Sequence, residues 1–177
     1  NAVDGLHADT EPLNGDSQLI DRDAMWRSKM HALWIIFKAG RTAERQSVFD
    51  QFKADCGSDL EAYATWCLCY DKWGAPNGEE SNWERKFNRN SPEIANLRKQ
   101  YPDTLDFYRW LEWIAAEQLS SAQQAAKDAG MHIGIMSDMA VGVHPSGADV
   151  WWNPERFAKG ATVGAPPDMF NQQGQNW

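Results

Sequence analysis

The side chains best suited to chemistry fall in one stretch, Met131 to Trp177, which carries Asp138, His144, Asp149 and Asp168. A carboxylate just past a buried strand can orient hydroxyl groups or a catalytic partner, and Asp138 has that place, although Asp also caps turns. His144 comes where the strand would end, in reach of a substrate. Asp149 precedes Val150-Trp151 and reads as a cap rather than a ligand. His132 and His144 lack the His-x-Glu or His-x-x-x-His spacing of metal ligands, so no metal is expected. No nucleophile elbow, phosphate loop or dinucleotide fingerprint occurs, and no cofactor is expected.

The element that must position these groups is the apolar, β-branched run His132–Val143 with its two glycines, which suits a buried strand and its outgoing turn better than a helix. A helix ending at Gly130 leads into it. A loop rich in Gly, Pro, Asn and Gln follows. Loops on the carboxyl side of parallel barrel strands are where active sites are assembled.

Upstream, the pattern is helical. Residues 1–18 show little periodicity and read as an extended lead-in. From about Asp21 the stripe Trp26, Met30, Leu33 and Phe37 predicts a helix that Gly40 ends. Thr42 caps a second helix burying Val48, Phe49, Phe52 and Cys56, stopped by Gly57. Ser58 and Glu61 have capping-box spacing, and the helix they start buries Leu60, Tyr63, Cys67 and Tyr70. Gly74–Asn82 is a loop by composition, and Trp83 and Phe87 mark a short aromatic segment. Ser91-Pro92 starts a short helix that Tyr101-Pro102 ends. A long helix from about Thr104 to Ala129 uses Phe107, Leu111, Ile114 and Leu119, with Trp110 and Trp113 widening the face. The chain thus divides into 1–18, a helical unit 19–130, and 131–177.

Composition narrows the function. The formal net charge of −8 offers no cationic face for phosphates, so no nucleic acid is expected as a partner. No apolar run reaches membrane-spanning length, and no signal-peptide pattern opens the chain. Three cysteines, Cys56, Cys67 and Cys69, make no disulfide framework and suit reduced thiols in the cytoplasm. Cys67 and Cys69 point to different sides of a helix and read as packing, not as a metal pair. Ten tryptophans is a high count, and indoles stack well on pyranose faces. Trp26, Trp34, Trp66, Trp110 and Trp113 nevertheless read as helix core. Trp177 differs, since it lies in a Gly/Gln/Asn loop without apolar periodicity.

Four ordered pieces carry a resemblance to the 4-α-glucanotransferases, the amylomaltase branch of the α-amylase clan. They are Ser-Asp-Met-Ala-Val-Gly-Val (137–143), Gly-Ala-Asp-Val-Trp (147–151), Gly-Ala-Pro-Pro-Asp (164–168) and Gly-Gln-Asn-Trp (174–177). Asp103 to Leu119 resembles the helix before the third barrel strand. The resemblance implies a mainly α chain: a helical insertion subdomain plus a remnant, about one strand and its loop, of an incomplete (β/α)8 TIM barrel. It implies an internal fragment of an enzyme that transfers α-1,4-glucan segments between maltodextrins by retaining double displacement. The family's three catalytic carboxylates lie on the fourth, fifth and seventh strands, so the chain would hold none and be inactive alone. Trp177 would lie beside the acceptor sugar, Gln175 would reach sugar hydroxyls, and Asp168 would belong to the overhanging loop. The unpaired strand would offer a surface for self-association. A non-catalytic helical carbohydrate-binding or protein-interaction domain is the alternative.

Overall fold

The computed structural model describes Gly5, Gly15 and residues 20–76, 81–158 and 160–176. The expected lead-in over 1–18 and part of the Gly74–Asn82 loop lie outside the described residues. Two compact units divide the chain, Asn1–Phe52 and Lys53–Trp177.

In the first unit, helix α1 (Arg22–Lys38) starts where expected. Asp21 caps it, its carboxylate accepting the Ala24 N–H at 2.8 Å. Helix α2 (Ala43–Trp73) begins at Thr42, whose hydroxyl accepts the Arg45 N–H at 3.3 Å. Phe37 and Phe49 are the buried side chains here, and the Arg41 guanidinium lies over both rings, 5.2 and 4.8 Å from their centroids. The expected stripe is only partly inside, because Trp26 is 60% exposed.

Helix α2 is broken at Gly57, whose φ of 52° and ψ of −127° leave helical geometry. That φ is open to glycine at little cost and to few other residues. The capping box does not hold Glu61, whose two carboxylate oxygens meet Arg98 and Arg109 instead. The face after the kink buries Leu60 and Cys67 as expected and adds Ala64, Leu68 and Cys69, while Tyr63 and Tyr70, expected inside, are exposed.

Three helices follow in the second unit: α3 (Trp83–Lys86), α4 (Pro92–Gln100) and α5 (Pro102–Asp128). Both longer ones place proline in the first turn, where a missing N–H costs nothing. Helix α5 buries Leu105, Phe107, Trp110 and Trp113. Its end is a Schellman turn: Met131 N–H reaches the Ala126 carbonyl, Gly130 N–H reaches Lys127, and Gly130 sits at φ 92°. The core joins Ala64, Leu68 and Cys69 of α2 to Trp83, Ile94, Leu97, Leu105 and Trp151.

The expected buried strand is not formed. His132–Val143 is irregular and exposed, with Ile133 at 77%, Met136 at 88% and Met139 at 88%. A parallel barrel strand needs a backbone neighbour on each edge and packing on both faces, and no described segment supplies them. The Gln123 side chain pairs with it, donating to the Ile133 carbonyl and accepting the Ile135 N–H. The molecule is mainly helical. Its one sheet among the described residues is an antiparallel pair, β1 (Gly164–Ala165) with β2 (Gln175–Asn176).

Candidate functional site

Two short helices tie the candidate loop to the helical core. Four residues of α3 and five of α6 (Ala148–Trp152) are too few to be stable alone, so packing must hold them. Trp83 and Trp151 do this, and each indole N–H is satisfied by a backbone carbonyl. Trp83 donates to Gly74 at 3.0 Å, and Trp151 donates to Phe87 at 2.8 Å. A third indole, Trp66 of α2, donates to the Ser146 carbonyl at 3.0 Å. Arg89 closes the far end: one guanidinium nitrogen donates to the Trp152 carbonyl at 2.6 Å and to Asn153 Oδ1 at 2.9 Å. Residues 146–153 are thereby fixed to the helices by side chain-to-backbone bonds.

A cleft of about 380 Å³ opens beside this seam, lined by Glu84, Arg85, Asn88, Ser146, Val150 and Trp151 among others. Its lining joins the Arg85 guanidinium and the Asn88 amide to Val150 and the Trp151 ring, with the Glu84 carboxylate nearly enclosed. Sequence reasoning missed Glu84, Arg85 and Asn88, because nothing local links them to residues 145–154.

The sequence-chosen residues fall into two groups. His144 belongs to the anchored seam: its Nδ1 accepts the Ser146 N–H at 3.1 Å, and its carbonyl accepts the Gly147 N–H at 2.8 Å. In the neutral ring this puts the proton on Nε2. Asp149 sits in the first turn of α6, where a negative charge favours the helix; Gly147 is the capping residue. Asp138 lies in exposed irregular backbone rather than at the mouth of a strand.

Asp168 and Gln175 share the second group, a hairpin. Ala165 pairs with Gln175 and Gly164 with Asn176, which brings the arms together. Between them, Asp168 Oδ1 accepts the N–H groups of Phe170 and Asn171 at 2.8 and 2.7 Å. The Asp168 N–H itself donates to the Asn171 carbonyl at 3.0 Å. Gln175 is exposed on its strand. Trp177 lies outside the described residues.

Comparison with known proteins bears on what this arrangement serves. The family model described as 4-alpha-glucanotransferase matches residues 3–177. A 4-alpha-glucanotransferase of Mycobacterium tuberculosis (strain ATCC 25618 / H37Rv) is 42% identical over 159 residues, 89% of this chain and 22% of that protein. One of Haemophilus influenzae is 28% identical over 175 residues, 92% of this chain and 25% of that protein. The crystal structure of amylomaltase from Corynebacterium glutamicum is similar with a TM-score of 0.66 and 40% sequence identity, covering 89% of this chain and 20% of that one. The chain thus spans about a fifth to a quarter of the length of these relatives.

Proposed function

The chain belongs to the 4-alpha-glucanotransferase family, and from that premise we propose that it is the helical subdomain and adjoining loop of a longer enzyme that moves α-1,4-glucan segments between maltodextrins. The observation that carries this is 42% identity spread over 89% of the chain. The net charge of −8 is compatible with a neutral polymer and adverse to a polyanion.

The reaction is a double displacement with retention. One carboxylate attacks the anomeric carbon and forms a glycosyl-enzyme; a second protonates the leaving oxygen, then deprotonates the acceptor hydroxyl. A sugar hydroxyl takes the place of water, so the bond is transferred rather than hydrolysed. These carboxylates lie outside the chain. The chain's own part is on the substrate side, through Asp138, His144, Asp168, Gln175 and Trp177. The helical core supports this role, because the bonds from Trp66, Trp151 and Arg89 hold the His144–Asn153 segment rigidly. The cytoplasm is the proposed compartment, in keeping with three free cysteines.

The test is to give maltotriose to the longer protein and follow products by NMR. Glucose together with a ladder of longer α-linked dextrins is expected. Release of glucose with no longer dextrin, or a β-configured first product, would refute the reading.

A further inference from the structure

Asp168 stands on the hairpin as an exposed acid, the usual aspect of a ligand for sugar hydroxyls. Its geometry says something different. One oxygen, Oδ1, takes two successive backbone N–H groups, from Phe170 and Asn171, and the Asp168 N–H closes the same turn onto the Asn171 carbonyl. Asn171 continues the network, its own side chain accepting the Gln173 N–H at 3.3 Å and its carbonyl the Gly174 N–H at 3.1 Å. From Gly174 the chain enters β2, where Gln175 faces Ala165 in register. Asp168 is therefore the first link in a chain of bonds that ends at Gln175.

Packing does little to hold the tip, whose two large apolar side chains are exposed. Met169 is 80% exposed and Phe170 is 91% exposed. A turn without buried apolar contacts depends on its internal hydrogen bonds for a single conformation. Aspartate does this well, since a charged acceptor strengthens both bonds. Pro166 and Pro167 fix the incoming arm just before it, and proline lowers the freedom of the open loop.

We propose that Asp168 is a positioning residue: it clasps the 168–171 turn, sets the projection of Phe170, and keeps Gln175 in register. It does so through Oδ1, so that its part on the substrate side is to hold the loop that carries Gln175. The proposal rests on the glucan-transfer reading for its consequence in catalysis, but the clasp itself is a property of this chain. An acceptor oxygen in the right place is what the role requires, and the carboxamide of asparagine supplies one. A sugar ligand acting through its negative charge would not be replaced by that amide.

The experiment compares Asp168→Asn with Asp168→Ala by two readouts. In the 177-residue chain, amide exchange at Phe170 and Asn171 reports the clasp. In the longer enzyme, kcat/KM for a maltose acceptor reports its use. Asp168→Asn should keep both amides slow and the acceptor kcat/KM within about twofold, whereas Asp168→Ala should speed exchange and lower kcat/KM about five- to tenfold, the scale of one or two hydrogen bonds. Equal loss of acceptor use in both variants, with the amides still slow in Asp168→Asn, would mean that the carboxylate binds sugar. Amides that stay slow in Asp168→Ala would mean that there is no clasp. Absence of transfer by the unmodified enzyme would overturn the functional reading and leave the exchange result to decide the clasp alone.

Discussion

Trp83 and Trp151 meet edge to face, with ring centroids 5.4 Å apart and planes inclined at 80°. Both rings are nearly excluded from water, at 3% and 7% exposure. They are the junction at which the helical core takes hold of the loop that follows α5. The edge-to-face geometry sets the positive edge of one ring on the negative face of the other.

Removing one ring should therefore undo more than a contact. Trp151→Ala should lower stability by about 3–5 kcal/mol in urea unfolding of the chain, as for other buried large-to-small changes. Trp151→Phe keeps most of the ring but strands the Phe87 carbonyl, and should cost about 1–3 kcal/mol. Equal stability of Trp151→Phe and the unmodified chain would show that the indole N–H contributes nothing.

Arg89 offers a local test of the seam. Arg89→Lys should not substitute, because both bonds come from the terminal Nη1, which the shorter lysine does not reach, and because an ammonium lacks the planar face set over the Trp152 ring. Both Arg89→Lys and Arg89→Ala should speed amide exchange across 148–156 while leaving 102–128 unchanged. The 3.9 Å contact with Glu155 joins half-exposed groups and is given no part in this effect. Unchanged exchange at 148–156 would place the anchor elsewhere.

The interior predicts a loss of stability in alkali. Burial pushes the Cys67 and Cys69 thiols from an ordinary 9.0 up to about 12. Burial also raises Tyr108. Between pH 9 and about 12 the unfolded chain has released thiol protons that the folded chain retains, so stability falls as pH rises across that window. The slope is at most about 1.4 kcal/mol per pH unit for each thiol. Urea midpoints measured from pH 8 to 10.5 should decline, and Cys67→Ala with Cys69→Ala should flatten the decline. Iodoacetamide at pH 8 should label the half-buried Cys56 first.

Much of the helical part was legible because its signals are local. Asp21, Thr42, Gly57, Pro92, Pro102 and Gly130 each act within a few residues of themselves, and each marks the boundary expected of it. The direction of a helix face was less legible. Tyr63 and Tyr70 fit an apolar stripe, yet Ala64, Leu68 and Cys69 are the buried set, because the partners arriving from α4, α5 and Trp151 decide which face is covered. Glu61 likewise fits a capping box and instead meets Arg98 and Arg109, both distant in sequence. The strand failed for a related reason. Ile133, Ile135 and Val141 have the right composition, but a strand exists only when neighbours pair with it, and composition does not supply neighbours. At the site, Asp168 stands out by its place after Pro166-Pro167 in the loop that the family resemblance marks; its two backbone bonds depend on the turn's conformation and are not readable from residue type alone.

Glucan transfer is proposed to need carboxylates outside this chain, which supports the site without supplying them. Purified 177-residue chain and the longer protein should each be incubated with maltotriose beside heat-denatured controls, and glucose and longer dextrins quantified. Transfer by the longer protein is expected, and none by the chain above its denatured control. Dextrins longer than maltotriose formed by the chain alone would contradict it, and would require a nucleophile and an acid within these residues.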